Sequence, residues 1–153
     1  MSEVRCPKSD SLRLVAEKVA KRNFNCYPLN HFYMIKTLQD LEVFNLSYTF
    51  AMDVFTISRN FPKEERYSLT DQIVRSSRSI AANISEGWGK RTYGNDFKRH
   101  LIYAVGSLEE TKTWLLLAKD CCYIDPTVYD CFYKKCDELG ARIYKLYENW
   151  KTY

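Results

Sequence analysis

The longest regular pattern in the chain is an apolar stripe between residues 94 and 122, in which the spacing alternates between three and four residues. Its members are Phe97, Leu101, Ala104, Leu108, Thr111, Leu115, Ala118 and Cys122. Such spacing places them all on one face of an α-helix. A helix of this length, roughly 40 Å, buries one face only against partner helices of similar length.

Three further segments show the same periodicity and predict such partners. They cover about 38–60, 68–87 and 126–151, with turns at Pro62 and at Asp125-Pro126. Their predicted core faces are Leu41, Phe44, Tyr48, Ala51, Phe55 and Ser58; Leu69, Ile73, Ser76, Ser77, Ile80 and Ile84; and Tyr129, Phe132, Cys136, Leu139, Ile143, Leu146 and Trp150. Four long amphipathic helices with short connections predict an all-α fold, an antiparallel up-down-up-down four-helix bundle over residues 38–153.

The second helix has few large apolar residues. Ser68 or Thr70 is expected to cap its start, and Gly87 and Gly89 are expected to end it. The small side chains of Ser76, Ser77 and Ala81, together with Gly87, favour close approach of a neighbouring helix.

Residues 1–37 do not continue the pattern, and we predict an N-terminal extension that is partly ordered at best. A flexible basic arm that touches a partner is one interpretation. A leader from an upstream start codon, with the domain beginning near Met34, is the other.

The net charge is +4, and its distribution is uneven. Between residues 75 and 99, six basic side chains stand against only Glu86 and Asp96. A local basic cluster favours an anionic partner, although a solvated face is the alternative. The six candidate nucleic-acid-binding residues are Arg75, Arg78, Lys90, Arg91, Lys98 and Arg99.

The sequence shows no pattern typical of catalysis. Di-iron bundles need Glu-x-x-His, and neither His31 nor His100 follows a glutamate by three residues. There is no Walker or Rossmann glycine loop, and we expect His100 to be a packing or surface residue. We expect Asn83 and Glu110 to form interhelical hydrogen bonds, and we predict no catalytic, metal or cofactor site.

Location is predicted from what the sequence lacks. No apolar run approaches the length of about 20 residues that a membrane span needs, and residues 1–10 have no signal-peptide core. None of the six cysteines forms a Cys-x-x-Cys pair. We therefore expect a cytoplasmic protein with free thiols and no membrane partner.

Several short motifs resemble one known family. They are Leu41-Glu-Val-Phe44, Phe61-Pro-Lys-Glu-Glu-Arg66, Leu69-Thr-x-Gln-Ile73, Ser79-Ile80, Asn83-Ile-Ser-Glu-Gly87, Gly106-Ser-Leu-x-Glu110 and Leu116-Leu-Ala-Lys119. Over residues 38–150 their order and spacing resemble the four-helix bundle proteins encoded in intervening sequences of 23S ribosomal RNA genes. The accessory variability determinant of diversity-generating retroelements is similar to this family.

The resemblance implies a homopentameric, barrel-like ring. For the retroelement members it also implies a basic surface that binds RNA or DNA and a reverse transcriptase. We accordingly expect a non-enzymatic, oligomeric nucleic-acid-binding accessory protein, with a protein–protein interaction scaffold as the alternative.

Overall fold

Four α-helices and two short 3₁₀ turns make up the chain that the computed structural model describes, residues 35–150. The predicted extension therefore lies almost entirely outside the described residues. The helices are α1 (Glu42–Ser58), α2 (Leu69–Gly89), α3 (Gly94–Asp120) and α4 (Pro126–Asn149), and the 3₁₀ turns are Leu38–Asp40 and Lys63–Tyr67. Residues 35–150 contain no strand, which confirms the predicted all-α fold.

The four helices run up-down-up-down. Each helix packs on the helices before and after it in the sequence, and α4 packs on α1, which closes the bundle. The α2–α3 interface is the most extensive and the α1–α4 interface is the loosest. The largest fully buried side chains come from all four helices and include Phe50, Ile73, Phe97, Leu108 and Phe132. One continuous core therefore runs through the bundle.

The predicted core face of the first helical segment is correct at Leu41, Ala51 and Ser58, which are buried, and wrong at Tyr48. Tyr48 is 58% exposed, whereas Phe50 and Val54 are fully buried. The buried side chains of α1 are Val43, Leu46, Ser47, Phe50, Ala51, Asp53, Val54, Ile57 and Ser58. Apolar residues occur on several sides of α1, so two overlapping stripes fit the helical period. The true one includes Asp53, a buried carboxylate that makes this face look polar in the sequence.

The predicted end of α2 is correct at Gly89, the last residue of the helix, and wrong at Gly87, which lies within the helix. A Cβ atom on Gly87 would lie 2.7 Å from Cβ of His100. Glycine is needed at position 87 for the close approach of α3, and not for helix termination. The small-residue prediction is thereby confirmed at Gly87.

The start of α2 is capped differently from the prediction. Ser68 occupies the capping position, but its side chain does not cap the helix. Its hydroxyl donates to Glu65, and the Glu65 carboxylate accepts the backbone N–H of Leu69 at 3.2 Å. The Thr70 hydroxyl is buried without a hydrogen-bond partner among the described residues. Glu65 therefore accepts the first backbone N–H of α2.

Hydroxyl pairs join α2 to α3. Thr111 donates to Ser76 at 2.9 Å, and Ser107 donates to Ser79 at 2.9 Å. The amide of Asn83 reaches Ser107 at 3.5 Å. Glu110 differs from the prediction: it accepts a bond from the indole of Trp114 on its own helix at 3.2 Å. Small hydroxyl residues thus satisfy one another across the α2–α3 interface.

Candidate nucleic-acid interface

Four of the six candidate cations lie at one end of the bundle, where α2 connects to α3. Lys90 and Arg91 lie in the short turn between these helices, and Lys98 and Arg99 are in the first turns of α3. We call these four residues the basic end. The antiparallel hairpin therefore brings together two basic pairs that are separated by six residues in the sequence.

The other two candidates lie along α2, away from the basic end. Arg78 precedes Lys90 by twelve residues, about 18 Å along the helix. Its guanidinium stands 5.3 Å from the centre of the Phe55 ring on α1. Arg75 pairs with Asp71 at 3.8 Å on the exposed surface. The predicted site is therefore two separate surfaces.

An aromatic cluster of Trp88, Phe97 and Trp150 lies next to the basic end. The Phe97 and Trp150 rings lie 4.4 Å apart and the Trp88 and Trp150 rings 6.3 Å apart, both edge to face. Arg91 places its guanidinium 4.4 Å from the centre of the Trp88 ring and donates to the Trp88 carbonyl at 3.0 Å. The charge of Arg91 is thereby held in place while the residue remains exposed.

Lys90 contacts a buried histidine. Its Nζ lies 2.8 Å from Glu86 Oε1 and 3.0 Å from His100 Nε2. An ammonium group can only donate, so Nε2 is the acceptor in this contact. Nδ1 is buried without a hydrogen-bond partner among the described residues. Of the two expectations for His100, packing is the correct one.

The last turns of α4 also reach this end. Lys98 Nζ lies 5.1 Å from the centre of the Tyr147 ring, and Tyr147 stacks on Tyr144 at 6.3 Å with an interplanar angle of 19°. The Tyr144 hydroxyl is bonded to Glu148, which raises the pKa of the phenol. The sequence did not reveal these aromatic neighbours because they lie about fifty residues from the basic pairs.

Two acids accompany the basic end. Glu86 pairs with Lys90, and Arg99 pairs with Asp96 at 3.7 Å. The bond from Lys90 lowers the pKa of the Glu86 carboxyl. All four partners are substantially exposed, and exposed pairs contribute little free energy. A phosphate can therefore compete for these cations at small cost.

The cations of the basic end can bind anions, and the exposed aromatic side chains beside them can stack on planar groups. Within residues 35–150 no group of three His, Cys, Asp or Glu side chains is placed to hold a metal ion. No helix in this part of the chain is long and apolar enough to cross a membrane. Its four cysteines are free, as predicted; Cys6 and Cys26 lie outside the described residues.

The fold and its basic end define a four-helix bundle protein with a cationic pole. The sequence model of the 23S rRNA-intervening sequence protein family matches residues 39–145, and the chain belongs to this family. The expected family resemblance is thereby confirmed. The relationship to the retroelement accessory protein stays a prediction.

A solved structure supports the same placement. It is a protein of unknown function from the S23 ribosomal protein family of Bacteroides thetaiotaomicron, 26% identical in sequence with a TM-score of 0.64. The match covers 70% of this chain and 96% of that one. No protein of curated function matches the chain in sequence.

Proposed function

We propose that this chain is a non-enzymatic, oligomeric nucleic-acid-binding accessory protein that contacts phosphates through its basic end. The observation that carries the proposal is the convergence of Lys90, Arg91, Lys98 and Arg99 on one pole of a bundle. Binding through such contacts is salt-dependent and weakly selective for sequence, because phosphate contacts position a ligand without reading its bases.

Exposed apolar side chains support self-association. Tyr48 and Met52 are exposed on α1, and Ile102, Leu116 and Leu117 are exposed on α3. The helices α1 and α3 lie diagonally opposite each other in the four-helix bundle, so the two apolar surfaces face in different directions. Two unlike surfaces on one subunit fit head-to-tail contacts, which close into a ring when the rotation permits. The pentamer implied by the family resemblance is such a ring.

A ring would strengthen a modest site. Each subunit contributes four cations at the same pole, and simultaneous contacts raise the overall affinity without new interactions. This accounts for how a chain with a net charge of only +4 could hold a polyanion at moderate salt.

The experiment uses two matched double variants. Arg91→Glu with Arg99→Glu reverses two charges at the basic end, and Arg75→Glu with Arg78→Glu reverses two charges along α2. We expect the first pair to abolish an RNA gel shift at low salt and the second to weaken it only slightly. The proposal is wrong if both pairs bind like the wild type while their melting temperatures and oligomeric states are unchanged.

The second candidate is a protein-interaction scaffold, favoured by the exposed apolar side chains of α3. In that case Ile102, Leu116 and Leu117 would dock another protein, and a reverse transcriptase is the partner that the resemblance suggests. The two functions separate cleanly. A scaffold has no affinity for RNA or DNA at low salt, and Leu116→Glu with Leu117→Glu abolishes co-purification of its partner while the oligomeric state is unchanged.

A further inference from the structure

We infer that the basic end takes single-stranded nucleic acid in preference to a duplex, with a base stacked on Tyr93. This inference rests on the proposed function and specifies the ligand of the same site. The phosphates on either side of the stacked base would lie against Arg91 and Arg99.

Tyr93 is an exposed ring on a fixed backbone. Its side chain is 70% exposed, although the turn around it is firmly hydrogen-bonded. The N–H of Tyr93 donates to the carbonyl of Lys90 at 2.8 Å, and its own carbonyl accepts from the N–H of Asp96 at 2.9 Å. The backbone at Tyr93 is therefore already ordered, and a ligand that stacks on the side chain restricts only its rotation, which favours binding.

Four cations flank Tyr93 in the sequence. Lys90 and Arg91 precede it by three and two residues, and Lys98 and Arg99 follow within the first turns of α3. Alternation of positive charge with open aromatic faces is typical of surfaces that bind single strands. A second exposed aromatic side chain lies near Lys98. Lys98 lies over the ring of Tyr147, and Tyr144, which is 58% exposed, stacks on Tyr147.

A duplex cannot stack its bases on these exposed tyrosine side chains. Its bases are paired and stacked inside the helix, so a protein reaches only phosphates and base edges. In a single strand every base has an accessible face, and stacking on an aromatic side chain adds affinity for any base. Phosphate contacts alone would give a duplex, with its denser charge, at least equal affinity.

The test measures fluorescence anisotropy of labelled RNA and DNA oligonucleotides of about 16 nucleotides, a length within the range of known single-strand sites. Each is offered as a single strand and as a duplex at the same low salt. We expect single strands to bind at least about tenfold tighter than duplexes. Tyr93→Ala should weaken single-strand binding by roughly five- to a hundredfold and leave duplex binding unchanged.

Two variants serve as controls. Tyr93→Phe keeps the ring and should bind single strands like the wild type. Tyr67 is 86% exposed beside Arg66 at the opposite end of the bundle, so Tyr67→Ala should have no effect.

The outcomes separate this inference from the proposed function. Equal affinity for single strands and duplexes, with Tyr93→Ala binding like the wild type, would overturn the inference and leave the proposed function standing. Absence of binding to any RNA or DNA, single or double, would overturn both.

Discussion

Lys135 on α4 donates a hydrogen bond to Asp53 on α1 across 2.7 Å, and both side chains are almost fully buried. The pair bridges the loosest of the four helix interfaces. A buried pair of this kind fixes which side chains meet, even where its net contribution to stability is small. We expect this pair to determine which face of α1 packs on α4, because a buried Asp53 needs the Lys135 ammonium beside it.

Removing one partner of this pair should be far worse than removing both. Asp53→Ala takes away the carboxylate that faces a buried ammonium and should lower the free energy of unfolding by about 3–5 kcal/mol. Asp53→Leu combined with Lys135→Met should come within about 1 kcal/mol of the wild type. Urea denaturation measures both values. Equal losses in the single and double variants would show that the ion pair is not what matters at this interface.

Gly87 should tolerate no side chain. Its Cβ would lie 2.7 Å from His100 Cβ and 2.9 Å from Phe97 Cδ2, so Gly87→Ala should destabilise the protein by about 1–3 kcal/mol. A methyl group on Gly89 would meet no neighbouring helix within 4 Å among the described residues, and Gly89→Ala should stay within about 0.5 kcal/mol. Thermal unfolding of both variants decides the matter, and similar shifts would refute the close contact.

Cys122 occupies a backbone conformation that suits glycine. Its φ is 61°. Just after the end of α3, the N–H of Tyr123 donates to the carbonyl of Ala118 at 2.8 Å. Because a side chain is disfavoured in this region, Cys122→Gly should stabilise the protein by about 1 kcal/mol. Cys121, with φ −78°, provides the control: Cys121→Gly should give no gain. A loss of stability in Cys122→Gly would contradict the presence of strain at this position.

Cys136 should make the protein sensitive to alkali. Burial raises the pKa of its thiol from 9.0 to about 12, so the unfolded chain releases this proton at lower pH than the folded chain. The free energy of unfolding should therefore fall by about 1.4 kcal/mol per pH unit above pH 9 from this group. Cys136→Ala removes the effect. Identical pH dependence of the two proteins between about pH 8 and 10.5, measured by urea denaturation at about half-unit steps, would contradict it.

The sequence predicted the positions of the helices more reliably than it predicted which face of each helix is buried. The α3 stripe is correct from Phe97 to Ala118, because every predicted member in that range is buried. In α1 the period fits two faces, and the partner that selects one of them, Lys135, lies 82 residues away from Asp53. Local periodicity contains no information about such a pair.

The candidate site was predicted in part for the same reason. Lys90, Arg91, Lys98 and Arg99 are close in sequence, so their convergence follows from one helical hairpin. Trp150 and Tyr147 reach the basic end only because α4 runs antiparallel to α3. Trp88 was missed because α2 was expected to end at Gly87.

The measurement that tests the central claim most directly is the salt dependence of RNA binding by the wild-type protein and by Arg99→Gln. If the four cations of the basic end neutralise phosphates of a single strand, log K should fall with log salt at a slope of about −3 per subunit. Arg99→Gln should reduce that slope by about 0.7, with no change in melting temperature or oligomeric state. A flat salt dependence, or an unchanged slope in the variant, would contradict the assignment of the basic end as a nucleic-acid interface.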